Sequence, residues 1–123
     1  MSPPFPIRIG RVYDHRAEAG ARILVDRLWP RGVTKAALAL DAWPKDVTPS
    51  TELRKWFHAD PSRWPEFCER YRAELAARPE AVATCLGWCR KGPVVLLTAA
   101  RDPGRSQAAV LREVLGERLV EQA

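Results

Sequence analysis

The run Val94-Val95-Leu96-Leu97-Thr98 is the most apolar stretch of the chain, and it restricts the possible folds more than any other feature. An apolar run this short, with no polar alternation, predicts a strand covered on both faces at the centre of a sheet. Gly92-Pro93 closes the helical pattern before it, and a new helix start follows near Asp102-Pro103 or Ser106. Arg22-Ile23-Leu24-Val25-Asp26 is a second near-continuous β-branched run, stopped by Pro30 and Gly32. A third, Pro6 to Tyr13, alternates instead, with Ile7 and Ile9 on one face and Tyr13 as a further candidate for it. Ala42 to Val47 is expected as a short fourth strand, which Pro44 confines to an edge or irregular position.

Helical patterns with local start signals lie between these runs. Thr34 caps a short helix through Ala39, and Ser50 caps another with Glu52 in its first turn and Leu53, Trp56 and Phe57 on one face. Asp60-Pro61 pairs a side-chain acceptor with a proline whose missing N–H costs nothing at a helix start. After it Trp64, Phe67, Cys68, Tyr71 and Leu75 recur at steps of three and four as one buried stripe. Pro79 starts a further helix that aligns Val82, Cys85, Leu86 and Cys89, and the last helix buries Leu111, Val114, Leu115 and Leu119. Strands separated by helices predict an α/β layered fold, with a mainly parallel sheet of about four strands flanked by helices. The gap from Tyr13 to Arg22 is too short for a helical crossover between neighbouring parallel strands. Those two strands either form a hairpin or run parallel through an abbreviated loop over Asp14 to Gly20.

At 123 residues the chain is the size of one domain, residues 1–123, and 46% hydrophobic content is enough for a core. Its apolar runs all fall short of the eighteen or so residues of a membrane span, and no stretch resembles a secretory leader. The expectation is a cytoplasmic protein without a membrane partner. Charge totals 20 basic against 15 acidic residues, a net +5, with 16 Arg and only 4 Lys. These charges are spread along the whole chain beside 18 Ala and 11 Pro, so composition bias is preferred to a nucleic-acid surface. Cys68, Cys85 and Cys89 are odd in number and sit on helical patterns, which fits buried thiols in a reducing compartment rather than a disulfide framework. Only His15 and His58 are available to complete a metal site with them, and neither has metal-like spacing, so no metal and no cofactor are expected.

Ligands of open α/β sheets lie beyond the carboxyl ends of the strands. Here those ends run into Asp26-Arg27-Leu28-Trp29-Pro30-Arg31-Gly32, Lys45-Asp46, and Thr98-Ala99-Ala100-Arg101-Asp102. The expectation is an anion pocket. Arg27, Arg31, Lys45 and Arg101 supply positive charge, Trp29 and Trp56 form walls, and Thr98 and Asp102 stand at the rim. Asp26 and Asp46 orient those groups or act as acid and base. The plainer alternative is structural: ion pairs of Asp26 with Arg27 or Arg101 and of Asp46 with Arg31, and tryptophans in the core. The arginines from Arg54 to Arg78, with glutamates interspersed, are read as solvated helix faces. His58, at a helix end, is either a general base or a local hydrogen-bonding group.

Three stretches taken together, Arg22–Gly32, Trp43–Phe57 and Leu96–Asp102, resemble the YeaO-like branch of the domain of unknown function 488 family. The resemblance covers nearly the whole chain and implies a compact α/β fold with a mainly parallel sheet. Longer relatives carry a Cys at the position resembling Thr98 and a Cys-His-Arg motif after it, where this chain has Arg105-Ser106-Gln107. Thiol chemistry therefore does not carry over, and what the resemblance implies is a location, the Asp26–Gly32 and Thr98–Asp102 loops. Three functional classes are weighed: a domain binding a small anionic ligand at that rim; a basic nucleic-acid-binding or regulatory module, which steeply salt-dependent binding would mark; and a protein-interaction domain, which a stable oligomer with an exposed Trp/Leu face would mark.

Overall fold

A computed structural model describes residues 4–14 and 19–121. Its sheet has three parallel strands, β1 (Ile7–Arg11), β2 (Ala21–Leu24) and β3 (Val94–Thr98), in the order β1-β3-β2. The expected central strand is thus central, and all five of its residues are buried. Its pleat divides the core in two. Val94 and Leu96 face one apolar cluster, while Val95 and Leu97 face the other.

The larger cluster lies under α2 (Thr51–Ala59), α3 (Trp64–Ala76), α4 (Pro79–Lys91) and α5 (Gln107–Glu121). The smaller is closed by α1 (Lys35–Leu38) and by the Trp29, Val33, Leu40 and Trp43 side chains. Helix starts fall where the capping residues put them. Thr34 accepts from the Ala37 N–H, Ser50 from the Leu53 N–H, and Asp60 from the Ser62 N–H. Asp60 starts a 3₁₀ turn, Pro61–Arg63, which leads directly into α3.

Two expectations are corrected. The stretch from Ala42 to Val47 is no strand: it touches the sheet through one parallel bridge, Ile23 to Ala42, and Lys45–Val47 then forms a 3₁₀ turn. Pro44 has no N–H to extend the ladder, and its carbonyl accepts instead from the Val47 N–H at 3.1 Å. Three strands result rather than about four. Tyr13 also leaves the face of Ile7 and Ile9, because β1 ends at Arg11 and Val12 turns into the smaller cluster.

Of the two alternatives for β1 and β2 the hairpin falls and the parallel one holds, and the two strands are not neighbours, because β3 lies between them. Nine residues separate Arg11 from Ala21. At roughly 3.3 Å each they span about 30 Å, enough to run back along a short strand and across two inter-strand spacings of about 4.8 Å without a helix. His15 and the middle of this link lie outside the described residues.

Tyr71 is fully buried on α3, and its hydroxyl donates a short hydrogen bond to the Val47 carbonyl, tying α3 to the turn after Pro44. Tyr71→Phe is expected to cost about 1–2 kcal/mol, because it keeps the ring and leaves a buried carbonyl without a donor. Urea unfolding of the two proteins measures it; equal stabilities would mean that the bond contributes nothing net.

Candidate functional site

Adjacent parallel strands that end together place their last side chains side by side. Leu24 pairs with Leu97, and the Val25 N–H donates to the Leu97 carbonyl at 3.0 Å, so Asp26 comes to rest beside Thr98. Its carboxylate accepts from the Thr98 hydroxyl at 2.7 Å, from the Ala99 N–H at 2.7 Å, and from the Gln107 side-chain amide at the first residue of α5. The Gln107 amide also reaches the Val25 carbonyl at 3.3 Å. One half-buried acid therefore joins β2, the end of β3 and the start of α5. Burial pushes the Asp26 carboxyl above its ordinary value, against the lowering effect of the Ala99, Thr98 and Gln107 hydrogen bonds and of the Arg54 charge.

Around this junction opens a cleft of about 290 Å³. Of the residues expected at the site, Asp26, Arg27, Trp29, Arg31 and Thr98 line it. Lys45, Asp46, Trp56, Arg101 and Asp102 do not, and their surroundings show why. Lys45 stands over the Trp43 ring, 4.1 Å from its centroid, and the Asp46 carbonyl accepts from Arg78. Trp56 lies between the Arg63 and Arg70 guanidinium groups, at 5.0 and 4.3 Å, on the helical side of the molecule. Arg101 and Asp102 are exposed beyond the strand end. Arg31 and Arg101 thus do not share the cleft.

None of the anticipated ion pairs of Asp26 or Asp46 forms among the described residues, since the acceptors of Asp26 are taken by neutral donors. Trp29 serves both structure and cleft. Its indole N–H donates to the Val33 carbonyl at 2.7 Å and its ring meets Trp43 edge-on at 5.4 Å, while it also forms cleft wall. The start of α5 is self-satisfied in part, because Ser106 Oγ accepts from the Ala108 N–H at 3.2 Å.

Several cleft residues escaped sequence reasoning. Arg54, expected on a solvated helix face, lines the cleft with Phe57 and His58 at the i, i+3 and i+4 positions of α2. Its Nε is buried with no hydrogen-bond partner among the described residues. Helix α2 is held in this rotation by Ser50, whose N–H and hydroxyl donate to the two Glu74 oxygens at 2.8 and 2.6 Å, and by the buried Leu53. His58 is exposed at the cleft edge with its ring against Phe57. Tyr13 donates to the Arg31 carbonyl at 3.2 Å, and Arg11 Nε to that of Ala100 at 3.1 Å, so residues at and beyond the end of β1 brace both loops. The signal in the sequence was the Arg54, Phe57, His58 spacing, which gives one face but not its direction.

Among the described residues three arginines against one engaged carboxylate give the lining net positive charge. Elsewhere, burial pushes the Cys85 thiol up to about 12 and the Cys89 thiol to about 11, so both stay protonated within the core. Among the described residues no three His, Cys, Asp or Glu side chains converge as a metal site, and no helix is long and apolar enough to cross a membrane.

The chain has relatives among known proteins. The model of the family described as "Inactive DUF488-N3 subclade" matches residues 6–123. The chain is 46% identical to "Uncharacterized protein YeaO" of Escherichia coli K12 over 110 residues, 89% of this chain and 96% of the relative. It is 42% identical to "Uncharacterized protein Rv3073c" of Mycobacterium tuberculosis H37Rv over 113 residues, 91% and 95% of the two chains. No solved structure matches it significantly.

Proposed function

The chain belongs to the DUF488-N3i family, the inactive DUF488-N3 subclade, and from that premise we propose that it binds a small phosphate- or carboxylate-bearing ligand in the Asp26 cleft without turning it over. Arg27, Arg31 and Arg54 supply the positive charge and Trp29 a wall. Asp26 is a positioning group: three donors already occupy its oxygens, so it fixes the strand ends rather than activating water. The three free cysteines suit a cytoplasmic setting.

One observation carries the reading. Arg54 brings a guanidinium to a cleft where Asp26, the one carboxylate among the described lining residues, is hydrogen-bonded by other groups, and the buried Arg54 Nε has no hydrogen-bond partner among the described residues. Among the described lining residues three guanidinium groups face the single carboxylate of Asp26, and that excess of positive charge in a concave site is what an anion relieves. Lys45, Asp46, Trp56, Arg101 and Asp102 take no part.

Thermal unfolding and calorimetry with inorganic phosphate, sulfate, acetate and citrate test this. Ligand at about 100 times Kd is expected to add about 2.7 kcal/mol of stability. Arg54→Gln is expected to weaken binding about tenfold, or about 1.4 kcal/mol, while Arg101→Ala leaves it unchanged. Equal loss in both variants would point to general surface charge. Tight, steeply salt-dependent binding to DNA or RNA without any effect of small anions would replace the reading with the nucleic-acid one.

A further inference from the structure

We infer that the anion taken by this cleft carries a flat apolar body beside its charged group, so that its class is an aryl or heteroaryl phosphate or carboxylate rather than a bare inorganic ion. The inference rests on the anion reading above and adds the second half of the ligand.

Its first support is where the exposed apolar surface lies. Among the described residues two large hydrophobic side chains are exposed, Leu28 at 62% and Tyr13 at 40%, and both line this cleft. Scattered exposed leucines need no explanation, but this pair is not scattered. Leu28 sits in the sequence Arg27-Leu28-Trp29-Pro30-Arg31, where apolar side chains are bracketed by guanidinium groups within one loop. A ligand gripped by the arginines and extending along that loop covers the apolar positions between them.

The second support is size. Liquid water occupies about 30 Å³ per molecule, so a cleft of about 290 Å³ has room for roughly ten waters, and a bare tetrahedral ion leaves most of it unfilled. The volume is that of the smaller organic-ligand pockets, which begin at about 300 Å³. The third is shape. Trp29 and Phe57 line the same space as Tyr13; one face of Phe57 is stacked on Phe67 at 4.5 Å, whereas Trp29 meets Trp43 edge-on at 5.4 Å and is stacked on no other ring among the described residues, so it is the wall that can take a planar group.

Calorimetry at fixed ionic strength compares inorganic phosphate with phenyl phosphate, acetate with benzoate, and phenol as the neutral body alone. Phenyl phosphate is expected to bind at least tenfold more tightly than phosphate, benzoate to exceed acetate in the same sense, and phenol to bind weakest. Leu28→Ser, a change at an exposed position, is expected to remove most of the gain of phenyl phosphate over inorganic phosphate. Equal affinity for phosphate and phenyl phosphate would overturn this inference and leave the anion reading standing. Binding of phenol as tight as that of phenyl phosphate, or no binding of any anion, would overturn both. Self-association that vanishes in Leu28→Ser and that phenyl phosphate does not displace would also overturn it, since the apolar rim would then meet a second copy.

Discussion

Asp26→Ala is expected to lower the unfolding free energy by about 3 kcal/mol, the largest single side-chain effect at the site. The substitution strands two donors, the hydroxyl of Thr98, a residue with no exposed surface, and the Ala99 N–H, and leaves the Gln107 amide with its longer bond to the Val25 carbonyl at 3.3 Å. Each unsatisfied group costs about 1–3 kcal/mol, and water entering from the cleft recovers part of the sum. Asp26→Asn is expected to cost less, about 1 kcal/mol, because the Gln107 amide can turn and present its oxygen to the new donor. The two variants also separate in pH dependence. Burial raises the Asp26 carboxyl in the folded protein, so the folded state holds its proton more tightly than the unfolded chain. Asp26 therefore contributes stability that is complete below the unfolded value of 3.8 and declines as pH rises from there through the raised folded value. Urea unfolding across that range should show wild type losing stability relative to Asp26→Asn as pH increases. A difference that grows in the opposite direction would mean that the hydrogen bonds outweigh desolvation.

Gly20→Ala is expected to cost about 3 kcal/mol by a different route. Gly20 has φ +138°, which side-chain-bearing residues rarely adopt, and a Cβ there would lie 2.8 Å from the Pro93 carbonyl oxygen and 2.9 Å from its carbon. That peptide has no freedom to retreat. Its oxygen accepts from the Ala21 N–H at 2.9 Å, and the following Val94 N–H donates to the Pro6 carbonyl at 3.1 Å. Relief therefore requires opening the sheet at its first rung. Two other glycines calibrate the result. Gly104→Ala meets only an ordinary contact of 3.5 Å to Asp102 and is expected within about 0.5 kcal/mol of wild type. Gly87→Ala, inside α4 with nothing within 4 Å, is expected to gain about 0.5–1 kcal/mol from helix propensity. Equal effects at all three positions would sink the steric account.

What was readable in the chain is what local chemistry decides. Thr34, Ser50 and Asp60 mark helix starts because a cap is a bond between a side chain and a backbone group two or three residues away. Val94 to Thr98 reads as a central strand because four apolar residues in a row, ahead of the threonine, need cover on both faces. Asp26, Arg27, Trp29, Arg31 and Thr98 were reachable because strand ends define a sheet's rim. Ala42 to Val47 misled, since Pro44 signalled an edge or irregular position but not that the chain would turn there into a 3₁₀ turn after a single bridge.

By itself, then, the sequence determined the element types outside Ala42–Val47, the mainly parallel layered architecture and the edge of the sheet at which the cleft lies. Only the tertiary structure decided that β3 would insert between β1 and β2, that Arg54 rather than Arg101 would line the cleft, and that Asp26 would be bound by Gln107 across 81 positions of chain. The reason is the range of the forces. Caps and pleats act over a few residues, whereas the rotation of a helix about its axis is set by packing of groups such as Leu53 and the Ser50–Glu74 pair against distant elements.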